Sequence, residues 1–123
     1  MERTRSGALT AQLQALHGLV RQGLDILYDA RDLAEFGELL HAGWELKRQF
    51  SDAVSNALID EAYARARRAG AVGGKLLGAG GGGFLLLYAE PYNQAAVRAA
   101  LAGMREVRFR FEHRGSHLAF YQP

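Results

Sequence analysis

The stretch of this chain best suited to chemistry is a glycine-rich run between two apolar segments. It runs Gly73-Gly74-Lys75-Leu76-Leu77-Gly78-Ala79-Gly80-Gly81-Gly82-Gly83-Phe84, and seven of its twelve residues are glycine. Glycine loses more conformational entropy on folding than any other residue and buries no side chain, so such a run needs a physical reason. Either the backbone adopts positive φ in a tight connection, or another backbone or a phosphate approaches where a Cβ would collide.

Two familiar nucleotide-binding loops are excluded by the sequence around this run. A Walker A loop needs Gly-Lys-Ser/Thr at the start of a helix, whereas here Gly83 is followed by Phe84 and an apolar strand pattern. A dinucleotide-binding fingerprint also needs a helix directly after the loop. Two interpretations remain: a concavity of backbone N–H groups that binds an anion, with Lys75 adding charge, or a turn that lets another backbone pack closely.

The other candidate groups lie mainly on the second predicted helix. Lys47 and Lys75 are the only lysines of the chain. Lys47 lies near an apolar stripe, so it either extends along the edge of the core or reaches an anionic ligand beside Trp44 and His41. The chain has no cysteine and no patterned set of histidines and carboxylates, so no metal site is expected.

Length and composition limit the classes of protein to which the chain can belong. Its 123 residues suffice for one domain, and a net charge of +2 with interspersed acidic residues predicts solvated faces rather than a nucleic-acid surface. No apolar run is long enough to span a bilayer, and no signal-peptide core follows Arg5. A cytoplasmic location with no membrane contact is therefore expected.

Three amphipathic helices are predicted before the glycine-rich run. The first covers residues 9 to 28, and the second begins at Asp32, which forms a capping box with Glu35. The third begins at Ser55 or Asn56 and ends at Gly70 in the left-handed conformation. The first helix is expected to bury one leucine-rich stripe made of Leu9, Leu13, Leu16, Val20, Leu24 and Leu27.

Strand patterns follow the three helices. Residues 72–77 and 84–89 flank the glycines, a helix begins at Pro91, and alternation at 107–111 predicts a strand that returns at 117–121. The helix after Pro91 is expected to bury Val97, Leu101 and Met104. The predicted fold is an α+β domain over residues 1–123, with helices on one face of a four-stranded antiparallel β-β-α-β-β sheet, a ferredoxin-like two-layer sandwich.

Residues 74–84 resemble the third, C-terminal glycine motif of the GHMP kinases, which include galactokinase, homoserine kinase, mevalonate kinase and phosphomevalonate kinase. The resemblance extends over most of the chain. Within the family, the chain looks like the branch that phosphorylates D-glycero-D-manno-heptose 7-phosphate. Mevalonate-type members typically carry threonine where this chain has Leu77, which argues against that substrate class. The segments similar to the heptose branch are 41–47, 55–60, 70–75, 107–111 and 115–116.

The resemblance implies the C-terminal domain of an ATP- and magnesium-dependent sugar kinase, with the glycine loop near the nucleotide phosphates and part of the sugar pocket. It assigns no catalytic residue and no metal ligand to this chain. On the phosphate side it implies Lys75, Gly78, Ala79, Gly80, Gly81, Gly82 and Gly83. On the side of the sugar phosphate it implies His41, Trp44, Lys47 and Asn56.

The same resemblance implies that most of the site lies elsewhere. The family's first domain carries a phosphate loop of the Gly-Leu-Gly-Ser-Ser-Ser type and usually an acidic residue near the acceptor hydroxyl, and neither has a counterpart here. Because phosphoryl transfer depends on positioning and charge neutralisation, this chain alone is expected to be inactive and to bind ATP and Mg²⁺ weakly. Its expected partners are an N-terminal kinase domain and, as an open possibility, a second copy of itself.

The alternative is a stand-alone, non-catalytic α+β module that binds a small anion or a partner chain. Local physics alone leaves this alternative open, because a glycine-rich connection between two strands is also ordinary turn chemistry.

Overall fold

The computed structural model of the chain describes residues 7–50, 54–78, 81–118, 120 and 122. Three helices precede a β-hairpin, and a fourth, short helix follows it, so the α+β class predicted from the sequence is confirmed. The elements in chain order are α1 (Gly7–Tyr28), α2 (Leu33–Arg48), α3 (Ala57–Arg68), β1 (Ala71–Leu77), β2 (Phe84–Ala89), a 3₁₀ turn (Pro91–Asn93) and α4 (Gln94–Ala100).

The start of α2 follows the predicted cap only in part. The Asp32 carboxylate accepts a hydrogen bond from the backbone N–H of Ala34 at 3.0 Å, which satisfies one free donor of the first turn. The second half of the predicted capping box is wrong, because the Glu35 carboxylate pairs with Arg31. A local ion pair therefore replaces the reciprocal bond to the cap backbone.

Helix α3 has the boundaries that the sequence predicted. Asn56 is the N-cap, with its Oδ1 accepting from the backbone N–H of Ile59 at 3.0 Å. The helix ends before Gly70, whose φ of +106° places it in the left-handed region. Of the two predicted caps, Ser55 and Asn56, the structure thus uses Asn56.

The sheet is a hairpin in which β1 and β2 pair antiparallel from Ala71↔Ala89 to Leu77↔Phe84. Its backbone lies unusually close to α2. A Cβ built on Gly73 would lie 1.9 Å from the carbonyl oxygen of Gly37, so only glycine at position 73 allows this approach. Close backbone packing, one of the two reasons offered for the glycines, thus applies to Gly73.

A cluster of buried apolar side chains joins α3, α4 and the hairpin. Its buried members are Ala66, Ala71 and Val97, with Leu87 and Ala89 packed against them. Tyr88 lies between Leu87 and Ala89 in the sequence, but its ring packs against Gly37 of α2. Because successive strand residues point to opposite faces, the helices contact both faces of the hairpin, and not only the single face predicted.

Helix α4 ends earlier than the predicted stripe requires. Val97 is buried and Leu101 is half-buried, but Met104 lies beyond the helix and is 41% exposed. Gly103, with a φ of +99°, makes the turn that separates Met104 from the helix. The predicted burial is therefore confirmed for Val97 and, in part, for Leu101, and it is wrong for Met104.

Helix α1 presents a different stripe to the protein from the one predicted. Gly23 and Ile26 are buried, and a Cβ on Gly23 would lie 3.1 Å from the Leu39 side chain of α2. A single neighbouring helix covers only a narrow strip, so the rest of the leucine-rich surface stays uncovered. The exposed members of the predicted stripe, 45–60% exposed, are Leu13, Val20, Leu24 and Leu27.

The four-stranded sheet predicted from the sequence is not present in the described residues, where the sheet has two strands. Residues 105–118 carry no strand, and Val107, Phe109 and Phe111 are 51–83% exposed. Alternation shows only that a segment suits a half-buried surface, whereas a strand also needs the backbone of a partner. Positions 119 and 121 of the predicted return strand lie outside the described residues.

Candidate functional site

The hairpin places the glycine loop beyond its last residue pair, Leu77↔Phe84. Three glycines of this loop have positive φ: Gly78 at +128°, Gly81 at +69° and Gly83 at +123°. L-residues with a side chain rarely adopt these values, so the turn itself requires glycine at these positions. Two further predicted loop residues, Ala79 and Gly80, lie outside the described residues.

Gly82 differs from its neighbours. Its φ lies outside the left-handed region, and a Cβ built on it meets no atom of the described residues within 4 Å. A Cβ on Gly83, in contrast, would lie 2.2 Å from the carbonyl oxygen of Leu77. The hairpin therefore needs glycine at 83 but not at 82, where the loop faces open space.

We expect Gly83→Ala to lower the free energy of unfolding by about 1–3 kcal/mol, the cost of a strained backbone conformation. Gly82→Ala is the matched control and should change stability by less than about 0.5 kcal/mol. Urea unfolding of both variants, followed by circular dichroism, measures the difference. Equal losses would show that the two positions are not distinguished by the hairpin.

Asn56 links α3 to the glycine loop. Its Nδ2 donates to the carbonyl oxygen of Gly81 at 3.0 Å, while its Oδ1 caps α3 on the backbone N–H of Ile59. Both ends of one amide group are thus engaged within the chain. Asn56, which the family resemblance implies on the sugar side, has its side chain against the glycine loop, and its role toward the sugar stays a prediction.

The first turn of α3 is also fixed to the end of α2. The Ser55 hydroxyl donates to Asp60 Oδ1 at 2.7 Å, and Arg48 Nη2 lies 3.3 Å from Asp60 Oδ2. These groups are about one-third exposed or part-buried, so the ion pair contributes little energy by itself and acts chiefly through its geometry. Residues 51–53 between the two helices lie outside the described residues.

An aromatic cluster lies between α2 and α3. The Tyr63 hydroxyl and His41 Nδ1 are 2.7 Å apart, and the two rings stack with centroids 5.8 Å apart. The Trp44 ring centroid lies 5.9 Å from that of Tyr63, and the indole is only 2% exposed. Trp44 is thus part of the core of this domain.

Tyr63 is the site residue that sequence reasoning missed. Burial raises the pKa of its hydroxyl, although the Arg67 guanidinium and the backbone N–H of Gly74 act in the opposite direction. The hydroxyl therefore stays protonated at neutral pH and joins α3 to His41 of α2. No local signal could have shown this, because Tyr63 fits an ordinary apolar helix stripe.

The remaining predicted residues are lysines. Lys75 is half-buried in β1, opposite Leu86, and Lys47 is exposed in the last turn of α2. Their roles toward phosphate and sugar stay predictions. The structure thus brings together Asn56 with the loop and His41 with Trp44, in two separate groups.

The described residues, 7–50, 54–78, 81–118, 120 and 122, contain no group of three or more His, Asp or Glu side chains that could hold a metal ion. Nor is any helix among them long and apolar enough to cross a membrane.

Comparison with known proteins gives matches over most of the chain. The family model described as "GHMP kinases C terminal" matches residues 15–105. The D-glycero-alpha-D-manno-heptose 7-phosphate kinase of Campylobacter jejuni subsp. jejuni serotype O:2 is 33% identical over 92 residues, which are 72% of this chain and 27% of that protein. The bifunctional fucokinase/GDP-fucose pyrophosphorylase of Arabidopsis thaliana is 29% identical over 91 residues, 74% of this chain and 8% of that protein.

Among solved structures, the L. major mevalonate kinase in complex with R-mevalonate is similar with a TM-score of 0.72 and 27% identity. The match covers 84% of this chain and 31% of that one. The chain therefore spans about a third or less of the proteins that it matches.

Proposed function

Because the chain belongs to the GHMP kinase C-terminal family, we propose that it serves as the C-terminal domain of an ATP-dependent sugar kinase. The proposed substrate is a heptose phosphate or a similar sugar phosphate. This substrate class is supported by the 33% identity to the Campylobacter heptose 7-phosphate kinase, together with the sequence segments that resemble that branch.

The observation that carries the proposal is the environment of Gly82. The loop from Gly81 to Phe84 is exposed, and a Cβ at Gly82 would point into open space. The hairpin itself does not require glycine at position 82. Close approach of a group from outside the domain to this backbone would explain why the residue is glycine. Nucleotide phosphates fit that role, because backbone N–H groups of glycine-rich turns bind anions well.

ATP and Mg²⁺ are the proposed cofactors of the complete kinase. When bound, Mg²⁺ neutralises phosphate charge. The donor set fits the phosphates and not the metal, because the described residues offer backbone N–H groups at the loop and no cluster of carboxylates. In this proposal, Lys75 and the loop Gly78–Gly83 serve the phosphates, and the metal ligands belong to ATP and the rest of the kinase.

On the sugar side, we assign contact to His41 and Lys47. Trp44 is only 2% exposed and stacks within the cluster of Tyr63 and His41, so its proposed role is to support the histidine. An exposed lysine in the last turn of α2 suits a negatively charged sugar phosphate, since its ammonium group is a mobile positive charge.

The proposed partner is an N-terminal kinase domain, in the same chain or a separate one. The exposed leucine-rich stripe of α1 is the surface that we assign to it, because apolar residues in such a row are normally covered. This chain spans only 27% of the matched Campylobacter kinase and 31% of the matched mevalonate kinase, so each of those proteins has further residues that can form such a domain. The exposed members of this stripe are Leu13, Val20, Leu24 and Leu27.

A chimera tests this proposal. The 123-residue chain replaces the matching C-terminal segment of the Campylobacter kinase, and phosphorylation of D-glycero-alpha-D-manno-heptose 7-phosphate is measured with Mg-ATP. We expect activity in the chimera and none in the isolated chain. An inactive but folded chimera would overturn the assignment to this substrate class, and tight phosphate binding by the isolated chain would favour the non-catalytic module.

In the active chimera, we expect Gly82→Ala to raise KM for ATP or lower kcat by roughly 10-fold or more, because a methyl group would displace the phosphates. The Tm of the variant should stay within about 1 °C, since stability changes at such an open position are small. Gly7→Ala is the control, because no atom of the described residues lies within 4 Å of the Cβ position at Gly7. Unchanged kinetics in Gly82→Ala would remove the phosphate role of this position.

A further inference from the structure

The side chain of Asn56 makes two hydrogen bonds that serve different elements. Through Oδ1 it accepts from Ile59 N at 3.0 Å, and through Nδ2 it donates to Gly81 O at 3.0 Å. The two bonded backbone groups lie in the first turn of α3 and in the glycine loop. A rigid amide plane therefore sets the distance and angle between these two elements.

The bond to Gly81 also fixes the orientation of a neighbouring donor. The carbonyl oxygen of Gly81 and the N–H of Gly82 belong to one planar peptide group, and the described chain contains no cis peptide bond. In a trans peptide the C=O and N–H bonds point in nearly opposite directions. Since the carbonyl points to Asn56, the N–H of Gly82 points away from α3.

The backbone at this point of the loop is also exposed. Among the described residues, no atom lies within 4 Å of the position that a Cβ on Gly82 would take, and both Gly81 and Gly82 are exposed. Gly81 has a φ of +69°, a backbone conformation that glycine adopts without strain. The loop thus has one peptide plane held by Asn56 on its inner edge, with the N–H of that plane facing away from the helix.

We propose that Asn56 is a positioning residue that holds the Gly81–Gly82 peptide plane so that the Gly82 N–H is presented outward to an anion. This rests on the proposed function for the identity of that anion, a phosphate group of the nucleotide. Asn56 itself touches neither the phosphate nor the sugar. Its contribution is to reduce the conformational freedom that the loop loses when the phosphate binds.

The helix beneath this contact is well held. Asp60 accepts from the Ser55 hydroxyl at 2.7 Å and lies 3.3 Å from Arg48 Nη2. The cap itself also stabilises the first turn of the helix. A substitution at position 56 can therefore change the loop without changing α3, provided that the new side chain still caps the helix.

Asn56→Ser separates the two bonds. Serine caps a helix about as well as asparagine, but its hydroxyl lacks the reach and the second donor that the bond to Gly81 uses. Asn56→Asp is a second cap-preserving variant without an N–H donor. Asn56→Ala removes both bonds, and Ser55→Ala is the control that touches the helix start but not the loop.

The first measurement uses the isolated 123-residue chain, labelled with ¹⁵N. In Asn56→Ser and Asn56→Asp we expect the order parameters of the Gly81 and Gly82 amides to fall from the rigid range, about 0.85, toward 0.6, with Tm unchanged within about 1 °C. Ser55→Ala should leave these order parameters unchanged. Loop amides that stay rigid in both cap-preserving variants would overturn the proposal.

The second measurement uses the chimera. Asn56→Ser is expected to raise KM for ATP by roughly 10-fold with a smaller change in KM for the sugar, because the misplaced donor lies on the phosphate side. An equal change in both KM values, or none, would overturn the positioning role. A wild-type chimera without kinase activity is a failure of the proposed function instead, and the order parameters would still decide whether Asn56 holds the loop.

Discussion

Trp44→Ala is expected to lower the free energy of unfolding by about 3–5 kcal/mol, the usual cost of removing a buried aromatic side chain. Trp44 is 2% exposed and is the largest fully buried side chain in the described residues. It lies in α2 against Tyr63 of α3, so its loss leaves a cavity between the two helices that position His41 and Asn56. Urea unfolding measures the change. It is followed by circular dichroism, because the variant lacks the only tryptophan of the chain and so has no tryptophan fluorescence.

Trp44→Phe is the control for the cavity. It keeps an aromatic ring and removes the indole Nε1, a buried donor with no hydrogen-bond partner among the described residues. An unsatisfied buried donor costs about 1–3 kcal/mol, so its removal offsets part of the lost volume. We expect Trp44→Phe to cost well under half as much as Trp44→Ala. A loss below about 1 kcal/mol for Trp44→Ala would contradict the packing of α2 on α3 through this residue.

Gly73→Ala is expected to cost about 3 kcal/mol, at the upper end of the range for overpacking. A Cβ at this position would lie 1.9 Å from the carbonyl oxygen of Gly37, and a backbone atom of a helix cannot move aside as a flexible side chain can. The helix and the strand must separate. Because β1 leads directly into the glycine loop, the separation should also change the backbone chemical shifts of Lys75 and Gly78.

Gly18→Ala provides a control of opposite sign. Gly18 lies within α1, and a Cβ there meets no atom within 4 Å. Alanine at an open helical position should raise the free energy of unfolding by about 0.5–1 kcal/mol, since alanine has the higher helix propensity. A Gly73→Ala variant as stable as Gly18→Ala would show that α2 and β1 do not pack backbone to backbone.

Trp44 and Gly73 connect the core to the candidate site. The packing of Gly37 on Gly73 sets the place of β1, and Trp44 sets the spacing of α2 and α3. Asn56 at the start of α3 then meets the loop at the end of β1. Damage to the core should therefore reach the loop through these elements, whereas Gly82→Ala and Asn56→Ser act on the loop alone.

The sequence by itself determined the elements whose signals are local. A cap at Ser55 or Asn56, the end of α3 at Gly70 and the two strands around the glycines follow from neighbouring residue types. The structure has these features, with Asn56 as the cap. The resemblance to the GHMP kinases is confirmed by the family match over residues 15–105. These features depend on backbone preferences and spacing, which a linear sequence contains in full.

The tertiary structure decided which surfaces are covered and which glycines have room for a side chain. Periodicity could not show that α1 leaves Val20 exposed, or that residues 107–111 have no partner strand among the described residues, because coverage depends on elements distant in sequence. The bond from Asn56 to Gly81 joins residues 25 positions apart and has no local signal. Nor could the sequence distinguish Gly82 from Gly83, since the same residue type meets open space at one position and a carbonyl oxygen at the next.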